Sequence, residues 1–250
     1  MTPPEMTHSS DADTPVVLVH GIRVSGASLH RIADAVTDRP AIHPDLPGHG
    51  ARQGERFTMA AAVDTIVGEI ERAGRPAIVC GMSMGGYVAM AVAGRHPDLV
   101  AGVMPMCATT QPGRTFALPF QMLGAATAFL PKEAAVLSRI LTRATVGRRV
   151  SDDMEVGGLA LAAIADVVAD VRGFDALGEL ARYPGPIEFV NGGRDPFRAH
   201  ERRFLAVSEN AHLTVLPGAS HLFPLIQPVR TGRLISEFAA TCDALPRPAA

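Results

Sequence analysis

The sequence is poor in the features that mark several protein classes. It has only three cysteines in 250 residues, Cys80, Cys107 and Cys242. They show no paired spacing and no metal-ligand pattern, which excludes a disulfide framework and leads us to expect reduced thiols in a cytoplasmic protein. Charge of one sign is also lacking: 23 Lys and Arg stand against 25 Asp and Glu, for a formal net charge of −2. The densest basic cluster, Arg143, Arg148 and Arg149, is short. That balance argues against nucleic acid or an anionic membrane as partner. No uncharged apolar run approaches the ~18 residues that a membrane-spanning helix requires. The opening MTPPEMTHSSDADT (residues 1–14) has no apolar stretch of the kind found in secretory signals and reads as a tail, as does the closing PRPAA. No internal repeat is present.

What the chain does have is core-forming material, 47% hydrophobic against 19% charged, arranged as short β-rich runs alternating with longer helical ones. Val16–His20 (VVLVH), Ile78–Cys80, Leu99–Met104, Ile187–Asn191 (IEFVN) and Leu213–Leu216 (LTVL) read as buried strands. Ser28–Val36, Met59–Arg72, Met84–Gly94, Glu201–Ser208 and Val229–Ala240 read as helices. Such alternation predicts an α/β fold, a mostly parallel central sheet with helices on both faces. The span 111–182 breaks the pattern. It has no clear strand, is rich in Ala, Leu and Met, and predicts helices near Phe120–Phe129, Lys132–Thr145 and Asp152–Val171. We therefore expect a core of residues 15–110 and 183–241, with 111–182 inserted as a helical cap.

The chemistry begins at Gly81-Met82-Ser83-Met84-Gly85, a G-x-S-x-G pattern between a predicted strand and a predicted helix. A sharp turn there presents the Ser83 hydroxyl at the sheet edge, and the Met84 N–H, at the helix start, is positioned toward an oxyanion. A serine hydroxyl needs a base. Of nine histidines, His221, in GASHLFP after the last predicted strand, is the one expected at the same edge. His20 precedes a glycine at a strand end and is expected to pack locally. His43 and His49 come from earlier loops; His30, His96, His200 and His212 read as helix or surface residues, and His8 as part of the tail. An imidazole base needs a carboxylate to set its tautomer. Asp195, in NGGRDPF directly after IEFVN, supplies one, whereas Pro105–Gly113 (PMCATTQPG) contains no acid.

The order Ser83, Asp195, His221 is that of the α/β-hydrolases, and from about Pro15 to Ala240 the chain resembles the cofactor-independent, esterase-like members of that superfamily. HGIRVSG (His20–Gly26) resembles the family's loop after its third strand, where the residue following HG donates a second oxyanion N–H; here that residue is Ile22. DLPGHG (Asp45–Gly50) resembles the family's D-x-P/R-G-x-G loop. Arg23 departs from the family's usual apolar or proline residue, and we expect its side chain to face solvent.

The resemblance implies a catalytic set of Ser83, Asp195 and His221, an oxyanion hole formed by Ile22 and Met84, and no metal or organic cofactor. The implied reaction is hydrolysis of a carboxylic ester or lactone through an acyl-enzyme. The expected partner is a small-molecule acyl substrate, with a homodimer left open. Phe116, Phe120, Met122, Leu123 and Phe129 of the cap are candidates for an apolar substrate pocket, as is Cys107, which follows the strand before the cap. Two other readings stay open. One is a C–C bond hydrolase of a diketone acid, its carboxylate held by Arg114, Arg139 or Arg143; the other is a ligand-binding protein on a hydrolase scaffold. A dehalogenase is disfavoured, because that chemistry needs a carboxylate where this chain has Ser83.

Overall fold

The computed structural model describes residues 14–113 and 131–245. Among these residues six strands form one sheet: β1 Val16–Val19, β2 Ala41–Ile42, β3 Ala77–Met82, β4 Val100–Met106, β5 Ile187–Gly192 and β6 Ala211–Leu216. Their order is β2–β1–β3–β4–β5–β6, and every neighbouring pair runs parallel. The helices are α1 His30–Ala35, α2 Met59–Ala73, α3 Met84–Arg95, α4 Pro131–Glu155, which is broken by a kink at Gly147 (φ 81°), α5 Ile164–Val171, α6 Ala176–Leu180, α7 Glu201–Leu205, α8 Phe223–Ile226 and α9 Pro228–Asp243. No helix among the described residues is long and apolar enough to cross a membrane.

The apolar runs are explained by burial of the strands on both faces. Val17, Val19, Val79 and Phe189 enter one core, whereas Val16, Leu18, Ile78, Cys80 and Val190 enter the other. The first core is closed by α2 and α3, the second by α1 and α9. α2 shows how the sequence sets its own limits. Thr58 caps it by accepting the Ala61 N–H at 3.1 Å, and Gly74, at φ 70°, ends it. Met59, Ala62, Val63, Ile66 and Ile70 form its buried stripe. α3 is instead buried along its length from Met84 to Gly94, because it lies between the sheet and the outer helices α2 and α6.

Between β4 and β5 the described residues hold α4, α5 and α6 and no strand. Two expectations need correction. The predicted helix Asp152–Val171 is not continuous: α4 ends at Glu155, Gly158 turns the chain at φ 79°, and α5 starts at Ile164. The Gly157–Gly158 pair has too little helix preference to carry the helix through. The predicted helix Phe120–Phe129 lies outside the described residues. Thr14, assigned to the tail, is buried and donates to Asp243.

Because all strands share one direction, the loops following β1, β3, β4, β5 and β6 emerge at a single edge. Ile22, Ser83, Cys107, Asp195 and His221 all stand in those loops.

Candidate active site

Ser83 is the single residue between β3 and α3, and its backbone is at φ 56°, ψ −117°. An L-residue avoids this region, at a cost of about 1–3 kcal/mol. The turn is held by Ser83 N–H donating to Met106 O at 2.8 Å and by Gly86 N–H donating to Ser83 O at 2.9 Å. The flanking glycines are sterically required. A Cβ on Gly81 would stand 2.0 Å from Gly85 O, and one on Gly85 would stand 2.2 Å from Val19 O.

The side chain of Ser83 meets His221 Nε2 at 3.0 Å, and His221 Nδ1 donates to Asp195 Oδ1 at 2.9 Å. With the Nδ1 proton committed to the carboxylate, Nε2 is left as the acceptor for the serine proton. Asp195 is buried, and burial pushes its pKa upward; hydrogen bonds from His221 and the Phe197 N–H, the charge of His221 and the Cys107 thiol outweigh that and hold it below the usual range. The acid loop is latched to the loop after β4: Ala199 N–H donates to Thr110 Oγ1 at 3.1 Å and Gln111 N–H to His200 Nδ1 at 3.0 Å. Asn191 bridges Thr109 and Glu201 beneath it.

Ile22 and Met84 flank Ser83 in one cavity. The Ile22 loop is held from below. His20 is fully buried, donates from Nδ1 to Gly21 O at 2.9 Å and accepts the Leu46 N–H at Nε2 at 3.1 Å. Burial and the neighbouring His49, whose ring centroid lies 4.9 Å away, lower its pKa from 6.5 to about 3. Asp45 of DLPGHG takes the Gly26 and Ala51 N–H groups, each at 2.8 Å. His20 therefore packs and bonds locally, as its position suggested.

The cavity beside Ser83 measures about 60 Å³ and is mostly apolar. Cys107 lines it, whereas Phe116, Phe120, Met122, Leu123 and Phe129 lie outside the described residues. Sequence reasoning missed Val167, Val168 and Val171, which α5 turns toward the cavity, as well as Tyr87 and Phe197. Their helical spacing was visible, but nothing in the sequence said which face of α5 meets Ser83. Arg172 also stands at the cavity, while Arg139 and Arg143 pair with Glu155 and Asp152 away from it. Arg114 lies outside the described residues. Arg23 does not face open solvent as expected. Its guanidinium donates to Ser138 Oγ at 2.5 Å and Thr142 Oγ1 at 3.2 Å, tying α4 to the Ile22 loop.

A parallel sheet with a strained serine at a strand–helix junction, bonded through histidine to an aspartate at the same edge, is the architecture of the α/β-hydrolase class. The sequence model of the alpha/beta hydrolase family matches residues 16–233, and the chain belongs to that family. It is 43% identical over 95 residues to a pimeloyl-[acyl-carrier protein] methyl ester esterase of Neisseria meningitidis serogroup B, covering 36% of this chain and 34% of that one. The match thus spans about a third of the relative's length. A protein of the same name from Aromatoleum aromaticum is 30% identical over 175 residues, covering 61% of this chain and 67% of that one. In overall fold the chain is similar to a thermophilic esterase from Thermogutta terrifontis, with a TM-score of 0.76 and 22% identity over 92% of this chain and 91% of that one.

Proposed function

We propose that this protein is a serine hydrolase that cleaves a carboxylic ester or lactone of a small to medium apolar substrate through an acyl-enzyme. The observation that carries the reading is the continuous hydrogen-bonded chain Ser83–His221–Asp195 opening onto an apolar cavity. The esterase names of the relatives favour an ester over other acyl bonds. On this reading Ser83 Oγ attacks the acyl carbonyl as its proton passes to His221 Nε2. The Ile22 and Met84 N–H groups receive the developing oxyanion, a contribution of about 10²–10³ in rate for each donor lost in studied cases. His221 then protonates the leaving alcohol and afterwards takes a proton from the water that releases the acid, while Asp195 holds the imidazole in its Nδ1–H tautomer. We read residues 111–182 as a cap whose α5 valines shape the acyl side of the cavity.

The test is labelling by a fluorophosphonate probe together with turnover of p-nitrophenyl esters. Wild type should label and turn over; Ser83→Ala should lose both, and His221→Ala should lose turnover, with each variant retaining its melting transition. Asp195→Asn should leave little activity through the wrong tautomer. Absence of labelling would return the chain to the ligand-binding reading, and preferential turnover of a dienone acid would favour the C–C bond hydrolase.

A further inference from the structure

Three non-glycine residues among those described have positive φ, namely Arg23 (69°), Ser83 (56°) and Cys107 (56°); Ser83 and Cys107 line the cavity, and Arg23 is next in sequence to Ile22, which also lines it. Ser83 is strained for its elbow, and Arg23 follows the oxyanion residue Ile22. Cys107 has no such explanation. Glycine would adopt this backbone without strain, yet the position carries a fully buried thiol, and its N–H donates to Val190 O at 2.9 Å.

The side chain of Cys107 faces a need. Asp195 Oδ1 already accepts from His221 Nδ1 and from the Phe197 N–H at 2.8 Å, whereas Oδ2 is buried with no conventional hydrogen-bond partner. A buried carboxylate oxygen without a donor is costly. Cys107 Sγ, an Asp195 carboxylate oxygen and a His221 ring nitrogen lie within 4.8 Å of one another. The nearby thiol is one of the influences that favour the carboxylate form of Asp195, although no conventional hydrogen bond joins it to Oδ2. Burial and the neighbouring Asp195 charge push the thiol well above its usual range, so it keeps the proton it would donate. A thiol held in this way is a poor nucleophile and a poor metal ligand.

We infer that Cys107 is a positioning residue for the hydrolytic site, its S–H directed at Asp195 Oδ2 so that the carboxylate is clamped from both sides and Oδ1 stays aimed at His221. This rests on the proposed triad. β4 supplies no acid; on this inference it supplies the donor that orients the acid of β5.

The test compares wild type with Cys107→Ala and Cys107→Ser. Removing the donor should lower kcat several-fold with little change in KM. It should also leave the carboxylate more basic toward His221, moving the imidazole titration of the variant to higher pH than that of wild type. The shorter but stronger hydroxyl donor of Cys107→Ser should restore both quantities. The imidazole titration is read by NMR on the free protein, so it reports on the Cys107–Asp195–His221 relation even if ester turnover proves to be the wrong activity. An unchanged titration and kcat in Cys107→Ala would overturn the inference. So would a serine variant that melts like wild type yet behaves like the alanine variant.

Discussion

His20 makes acid stability a direct check on how the Ile22 loop is supported. In the folded protein it is neutral, fully buried and bonded at both ring nitrogens, with a pKa of about 3 in place of 6.5. The unfolded chain takes up a proton below pH 6.5 that the native state refuses until near pH 3. The contribution of neutral His20 is thus complete above the unfolded value and is lost as pH falls through that window. Between pH 7 and pH 5 the loss is about 2 kcal/mol, equivalent to about 4–8 °C in melting temperature for a chain of this size. The assay is denaturant or thermal unfolding across this range for wild type and His20→Gln. Glutamine keeps a donor and an acceptor but cannot take a proton, so its curve should start lower and fall less steeply. His49, whose pKa burial also lowers, acts in the same direction in both proteins. Parallel pH profiles would refute the assignment of His20 as a neutral support.

Two further perturbations probe the elbow and the cavity. Gly85→Ala places a Cβ 2.2 Å from Val19 O, a backbone atom with nowhere to go, so the variant should lose about 2–3 kcal/mol and melt well below wild type; an unchanged melting curve would mean that α3 is not seated against β1 as described. Val168→Phe adds bulk to a cavity of about 60 Å³. A series of p-nitrophenyl esters should lose the longer acyl chains first and acetate last, whereas uniform loss across the series would place the acyl group elsewhere.

Legibility in the sequence followed the range of the physics involved. β1, β3 and β5 were visible because parallel strands buried on both faces must be almost wholly apolar, and Ser83 because its turn excludes side chains at Gly81 and Gly85. The edge strand β2 was not visible. Its two residues, Ala41 and Ile42, are only half buried and carry too few apolar positions to form a pattern. The break between α4 and α5 was written in Gly157–Gly158, but the apolar residues on either side masked it. The bonds of Arg23 to Ser138 and Thr142 span more than a hundred positions, and no local pattern records a contact of that reach. The same holds for α5: its valines are readable as one face of a helix, but that they meet the cavity beside Ser83 is decided by contacts far apart in sequence.

The three members of the proposed triad come from three loops, yet the sheet leaves them little freedom. Ser83 N–H is bonded to Met106 at the end of β4, Cys107 N–H to Val190 in β5, and Gly193 N–H to Leu216 at the end of β6. Each bond crosses from the end of one strand, or from the loop after it, to the next strand, and together they link the elbow, the acid loop and the histidine loop. A one-residue slip anywhere in β3–β4–β5–β6 would turn apolar side chains from one core toward the other and at the same time break the Ser83–His221–Asp195 chain. The geometry of the site is therefore a by-product of the register that buries the two cores. On this argument core variants in β4 and β5 should lose site geometry and stability together, whereas Ser83→Ala and His221→Ala, which leave the register untouched, separate chemistry from fold.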